Sequence, residues 1–401
     1  MHSNTALCDA IAHKIATSPQ NRITFAEYMD LALYHPTHGY YTNKAIDIGK
    51  EGDFFTNVHL GADFGELLAI QFVQMWEILQ RPVPFSLVEM GAGQGLLAVD
   101  ILKYIQQEYP DFLKALDYII VEKSPTLKQQ QQQQRLQEFS VRWCNLEDIP
   151  NNSISGCFFS NELVDAFPVH QFVLEQGQLL EVYVTTPHFS ASTSPNPSPP
   201  LPFVEVADTP STQQLVEYFE LVGINIKNGY PDEYRSEVNL AALDWLSAVA
   251  GCLQHGYVLT IDYGYPAHRY YNPRRSQGTL QCYYQHHRHN NPYINIGQQD
   301  ITSHIDFTAL ERWGEQCGLD NIGFREQALF LMALGLGERI ANLSYTKLPM
   351  SQLLQRRDAL HQLIDPLGLG GFGVLVQSKG LTEAQAAQPL TGFTVPEGMQ
   401  I

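Results

Sequence analysis

"VEMGAGQGLLAVDIL" spans residues 88–102. It joins a short apolar run carrying one acid, Glu89, to Gly91, Gly93 and Gly95 at every second position, and then to a helix-forming segment. A glycine bend between a strand and a helix lets the main chain approach a ligand, and the unpaired N–H groups at the helix start favour an anionic group. The flanking sequence supplies the frame. From residue 85 the apolar runs "FSLVEMG", "DYIIVEKS", "FSVRWC" and "SGCFFSNELV" alternate with helical stretches. Ser124 and Pro125 suit the cap and first turn of one of those helices. Such alternation predicts an α/β fold with a parallel sheet and helices on both faces.

Before this frame, residues 6–16, 24–34 and 62–79 read as helices. Thr24 and Glu27 form a capping-box pattern and Pro36 follows the helix end. After the fourth strand the rhythm breaks. A hairpin is expected around "EQGQ", a Pro/Ser-rich loop over 187–202, and a helix over 232–255. "GYVLTIDYGYP" reads as a fifth strand, 265–305 as a long polar loop, "DFTALERWGEQCGL" as a helix and 370–380 as a last strand. The glutamine run at 129–134 reads as a solvated helix face. Four segments result: 1–84, a helical or lid region; 85–170, the ligand-binding core; 171–250, an insertion; and 251–401, the rest of the core.

Composition narrows the function classes. With 24 Lys plus Arg against 42 Asp plus Glu, the net charge is −18, which argues against nucleic acid as the main partner. The six cysteines form no CxxC pair, so neither a disulfide framework nor a zinc site is indicated. "LFLMALGLG" at 329–337 is too short to span a bilayer, so no membrane insertion is expected. The N-terminus has neither a signal pattern nor an Arg-rich transit pattern, so a cytoplasmic location is expected, with the mitochondrial matrix as the alternative.

The spacing of the bend is E-x-G-x-G-x-G. A dinucleotide fingerprint would place its third glycine at Leu96, and no G-K-[ST] follows as a phosphate loop needs. The spacing fits the turn of class I S-adenosylmethionine (SAM) methyltransferases, with Gly91, Ala92, Gly93 and Gly95 approaching the amino-acid end of the cofactor and Glu89 facing its ammonium. Glu122, ending the second strand, is placed to accept the ribose hydroxyls, and Asn145 and Leu146 lie where adenine would be bonded and covered.

Further stretches point to one family. "LYHPTHGYY" (33–41), "GDFFTN" (52–57), "FGELLA" (64–69), "SNELVDAFPV" (160–169), "DYGYP" (262–266), "GTLQCYYQHHRHNNPY" (278–293) and "DITSHIDFTAL" (300–310), with "VEMGAGQG", resemble the MidA family of class I methyltransferases. The resemblance runs from about residue 10 to 380; the family usually has Ser where Asn57 stands. It implies a SAM-binding, mostly parallel sheet, N-terminal helices over the cofactor and an insertion between strands four and five. It also implies a protein substrate, since relatives methylate an arginine on a respiratory complex I subunit. The oligomeric state does not follow.

Methyl transfer is mainly an alignment problem, and positioning can supply on the order of 7–11 kcal/mol. A guanidinium acceptor needs carboxylates that grip two of its nitrogens. Asn161, Glu162 and Asp165, in "SNELVDA" at the end of the fourth strand, are the catalytic candidates, since a helical turn there would put both acids on one side. The plain alternative is a cap for Asp165 and a structural ion pair for Glu162. Asp262 and Tyr263, ending the fifth strand, are further substrate-side candidates, though Asp262 could equally form a turn. Gly52, Asp53 and Thr56 could touch the cofactor. His35, Tyr40 and Tyr41 could line a substrate entrance or simply pack. His286, His287 and His289 invite a metal reading, but no acid or cysteine joins them at a ligand spacing, so no metal is expected. His304 is substrate-side or packed. Two rival readings remain: a non-catalytic assembly chaperone on this fold, and a nucleotide-dependent oxidoreductase.

Overall fold

Seven strands carry the strand-end motifs. The computed structural model describes residues 3–43, 56–187, 202–345 and 348–395. The chain divides into a sheet unit, Phe55–Leu163 with Trp245–Gly264 and Trp313–Ile401, and a second unit, Met1–Phe54 with Val164–Asp244 and Tyr265–Arg312.

In the sheet unit the strands are β1 (Phe85–Met90), β2 (Leu116–Val121), β3 (Val141–Cys144), β4 (Ile154–Asn161), β5 (Leu253–Asp262), β6 (Asp320–Glu326) and β7 (Gly373–Lys379). Their spatial order is β3-β2-β1-β4-β5-β7-β6. The first five are parallel to one another, whereas β7 runs antiparallel to both β5 and β6. All six residues of β1 are buried, as expected of a central strand covered on both faces. Phe64 and Phe72 of the helix Asp63–Ile78, and Ile101 of the helix Leu96–Glu108, pack with Phe85, Phe159, Leu259 and Val374 in one core. The Phe72 and Phe159 rings lie 4.9 Å apart, and truncating either to Ala would cost about 3–5 kcal/mol.

The expected mostly parallel α/β sheet is present, and an insertion separates β4 from β5. Only β6 escapes the sequence pattern. "DNIGFRE" is a sheet edge with its residues half-buried or exposed, so it carries no apolar run to read.

The second unit holds a five-stranded sheet. His170–Glu175 and Gln178–Thr185 form the expected hairpin, whose two turn residues, Gln176 and Gly177, have φ of 51° and 76°. That is the left-handed pair a two-residue turn needs. Ile23–Thr24 and Val204–Asp208 pair with Gln178–Thr185. Leu7, Ile11, Phe25, Tyr28 and Val184 share a core with Tyr293 and Ile296. The capping box of Thr24 and Glu27 is formed at the start of the helix Phe25–Tyr34.

Three expectations need correcting. The helix read over 232–255 begins only at Leu240, because Arg235–Val238 is a strand paired with His170–Val173 and Asn239 receives the Ala242 N–H as a cap. The polar loop over 265–305 contains a three-stranded sheet, Gln281–Tyr284, His287–His289 and Asp300–Thr302, whose short Tyr- and His-rich strands lack an apolar alternation. The four sequence segments also do not match the units. Residues 1–54, the insertion and 265–312 group together, while the helix Asp63–Ile78, assigned to a lid region, belongs to the sheet core. Among the described residues no helix is long and apolar enough to cross a membrane.

Candidate cofactor and methyl-transfer site

The bend after β1 is left-handed at all three glycines, with φ of 70° at Gly91, 54° at Gly93 and 75° at Gly95. Gly91 N–H donates to the Val121 carbonyl at 2.9 Å, tying the bend to the end of β2. Gly95 N–H closes a turn on the Ala92 carbonyl at 2.8 Å, and Gly95 then starts the helix Leu96–Glu108. A Cβ at Gly91 would lie 2.7 Å from Leu163, whereas a Cβ at Gly93 would point into open space. The main chain at Gly93 is therefore free for a ligand to approach.

Two carboxylates flank this bend. Glu89 is buried in β1 and accepts a hydrogen bond from the Tyr118 hydroxyl at 2.7 Å. Burial pushes its carboxyl up to about 7, with the Tyr118 bond opposing and the Glu122 charge adding to the shift. Glu122, one residue beyond β2, is partly buried. Its Oε1 accepts the Ser124 N–H at 2.9 Å and its Oε2 accepts Gln131 Nε2 at 3.3 Å. Burial raises this carboxyl too, against those hydrogen bonds. The Lys123 backbone bonds the same carboxyl, and a carboxylate accepts about four bonds in all, so Glu122 still has capacity for a ribose hydroxyl. The residues present thus fit the cofactor: an uncovered backbone bend at a helix start, a buried acid for an ammonium and a strand-end acid for a diol.

Gln131 was missed by the sequence reading. It belongs to the glutamine run assigned to solvent, yet it is fully buried. Its Nε2 donates to the Gly93 carbonyl at 2.8 Å as well as to Glu122, and its Oε1 accepts Trp143 Nε1 at 2.8 Å. One side chain thus joins the bend, the ribose-side acid and β3. The available signal was helical spacing, since Gln131 falls four residues after the buried Leu127. Asn145 is exposed and caps a short turn, its N–H and Nδ2 both donating to Asp148 Oδ2 at 3.1 and 2.9 Å. Leu146, partly buried, opens that turn.

At the end of β4, Asn161 Nδ2 donates to Glu162 Oε1 at 3.2 Å. Glu162 itself is left-handed, with φ of 52°, and its N–H donates to the Ile261 carbonyl of β5 at 2.9 Å. A non-glycine residue at positive φ is uncommon, so the chain here is held against its preference. Behind Asn161 lies a second missed group. Asn57 and Gln327, both fully buried, exchange amide hydrogen bonds at 3.0 and 3.1 Å, and Asn57 Nδ2 also reaches Asn161 Oδ1 at 3.3 Å. Asn57 is thus a structural link to the strand end. Asp262, fully buried at the end of β5, accepts the N–H of Tyr263 at 2.8 Å, and the Tyr263 ring lies 5.5 Å from Phe372. Thr56 caps a turn, its N–H and hydroxyl within 3.3 and 3.0 Å of His59 Nδ1. Gly52 and Asp53 lie outside the described residues.

The remaining candidates lie in the second unit. The helical turn expected to carry Glu162 and Asp165 together is not formed: a three-residue turn begins only at Val164, after the left-handed Glu162. Asp165 is buried and its carbonyl accepts the Ser303 N–H at 2.9 Å. Tyr40 is packed in the core rather than lining an entrance. Tyr41 donates its hydroxyl to Asp300 at 3.0 Å, and its ring stacks on Tyr34 at 5.4 Å. His35 ends a helix; its Nδ1 accepts the N–H groups of Thr37 and His38 at 3.3 Å, and burial, with His38 adding, lowers its imidazole from the ordinary value. Gln285 and His286 form a two-residue hairpin turn followed by His287 and His289, and among the described residues no three metal-ligating side chains gather.

This geometry defines a class I methyltransferase core with a glycine bend shaped for SAM. Residues 67–325 match the model of a family of S-adenosyl-L-methionine-dependent methyltransferases, and the chain belongs to that family. Among curated relatives, the mitochondrial protein arginine methyltransferase NDUFAF7 homolog of Drosophila melanogaster is 29% identical over 409 residues, covering 95% of this chain and 86% of that protein. The protein arginine methyltransferase NDUFAF7 of Homo sapiens is 27% identical over 370 residues, covering 84% and 76%. A Burkholderia thailandensis protein solved with S-adenosyl-homocysteine bound superposes with a TM-score of 0.82 at 28% identity, over 97% of this chain and 95% of that one. The chain is a SAM-dependent methyltransferase, and the oxidoreductase reading is set aside.

Proposed function

We propose that this methyltransferase acts on a protein side chain, with an arginine guanidinium as acceptor and a respiratory complex I-type subunit as the class of substrate protein. The observation that carries the reading is the β4 end, where Asn161 holds the carboxylate of a backbone-constrained Glu162. The names of the relatives support it, since those that match most of the chain are protein arginine methyltransferases. They are mitochondrial proteins, so the reading extends to the mitochondrial matrix as well as the cytoplasm.

Bound SAM supplies an electrophilic methyl carbon. What the chain must add is a way to make a guanidinium nucleophilic, because its pKa above ~12 leaves no free lone pair. Glu162 would grip two guanidinium nitrogens and draw positive charge toward them, leaving the third richer in electrons. The Asn161 amide fixes the carboxylate plane, and Asn57 with Gln327 fixes Asn161.

The test is methyl transfer from radiolabelled SAM into lysate of cells lacking this protein, followed by hydrolysis and amino-acid analysis of the labelled polypeptide. Methylarginine is expected, lost in Glu162→Gln while that variant still binds SAM. Label on another residue or a small molecule would overturn the arginine assignment. SAM binding without any transfer would favour the assembly-chaperone reading.

A further inference from the structure

The chain carries a net charge of −18, yet residues 265–299 contain four arginines and no aspartate or glutamate. The arginines are Arg269, Arg274, Arg275 and Arg288. In the second unit two of them lie over one ring. Arg275 Cζ lies 4.3 Å from the centre of Tyr265 and Arg269 Cζ lies 5.0 Å from it. The His304 imidazole stacks on the same tyrosine, 5.1 Å away and inclined by 11°. Burial, then the charges of Arg275 and Arg288, push that imidazole down to about 4, so it stays neutral and both guanidiniums bear on one place. Among the described residues none of the four arginines has a carboxylate partner. Arg275 donates to the carbonyls of Arg269 and Tyr270 at 3.2 and 3.5 Å through one of its nitrogens only. Arg269 and Arg288 are exposed.

We infer that the face formed by Tyr265, Arg269, Arg275 and Arg288 docks an acidic segment of a protein partner through its carboxylates. A guanidinium lying over an aromatic ring keeps its in-plane N–H donors directed outward, the fork that meets a carboxylate bidentately. Stacking also fixes the side chains before binding, which lowers the entropy lost on contact. The net negative charge of the rest of the chain repels such a segment, which favours its settling on this face. A nucleic acid strand would meet that repulsion along its whole length. The docking partner goes beyond the methyl-transfer reading and does not depend on which atom accepts the methyl group.

Fluorescence anisotropy with labelled hexaglutamate, hexalysine and a short thymidine DNA strand, at low salt, tests it. Hexaglutamate is expected to bind, more tightly than either other probe. The Arg269→Ala/Arg275→Ala variant should weaken it about tenfold or more, while its heat of SAM binding stays that of the parent. Tyr265→Phe should keep the binding and Tyr265→Leu should lose it, a contrast that a general loss of fold would not produce. No hexaglutamate binding, equal binding in the double arginine variant, or tighter binding of the DNA strand would overturn the inference. None of these outcomes bears on SAM binding or methyl transfer.

Discussion

The bend after β1 and the arginine-rich face of the second unit are opposite solutions to holding a charged group. The first uses acids on a rigid sheet: Glu89, buried inside β1, faces the ammonium, and Glu122, partly buried one residue beyond the end of β2, faces the ribose. Burial raises both carboxyls, that of Glu89 to about 7, so the acid facing the ammonium waits partly protonated. The second uses cations that stay charged whatever surrounds them, ordered by one aromatic ring. The bend should be sensitive to backbone shape and to pH, and the arginine face to salt and to loss of its ring.

The largest effect should come from shape. Gly93→Val puts a β-branched side chain at φ 54°, pointing into the open space beside the bend. We expect SAM affinity to fall about a hundredfold or more and the melting temperature to fall with the backbone strain, the protein still folding because a Cβ at this position has no neighbour within 4 Å. Calorimetry with SAM and a melting curve would check this.

A smaller loss is expected from Gln131→Leu. It strips the Gly93 carbonyl and the Trp143 N–H of their partner and frees Glu122 from one restraint. Leaving buried polar groups unmatched costs about 1–3 kcal/mol, so both the melting temperature and SAM affinity should fall. A variant indistinguishable from the parent would return the glutamine run to a solvated face.

The mildest perturbation is pH. Glu89 must be ionised to meet an ammonium, and its free carboxyl is held up to about 7. SAM binding therefore releases a proton, and affinity should fall as pH drops below 7, by at most about tenfold per unit. Above about 8 the amino group of the ligand itself loses its charge, so an optimum should lie between. Calorimetry in buffers of different ionisation heat measures the released proton, and an affinity flat from pH 5.5 to 7.5 would remove Glu89 from the ammonium.

What was legible in the sequence follows the range of the interactions. The glycine bend, the strand-end acids and the hairpin at Gln176 and Gly177 are local, and each is set by residues a few positions apart. Arg235–Val238 reads as part of a helix because only its pairing with a strand more than sixty residues earlier makes it a strand. Asn57, Gln327 and Asn161 are brought together from three distant places, and no periodicity announces a buried amide pair. Glu162 and Asp165 show the limit of spacing alone. Three residues apart, they would share a helical face, but the left-handed φ at Glu162 keeps it out of the turn.

Calorimetric titration of SAM into the parent and Glu122→Ala proteins side by side tests most directly whether the strand ends hold the cofactor. One site per chain is expected in the parent and a Kd raised ten- to a hundredfold in the variant, the loss of about 1.5–3 kcal/mol expected when a carboxylate's hydrogen bonds are removed. Equal affinities would mean that the acid following β2 does not hold the ribose, and the placement of the cofactor along the strand ends would be wrong.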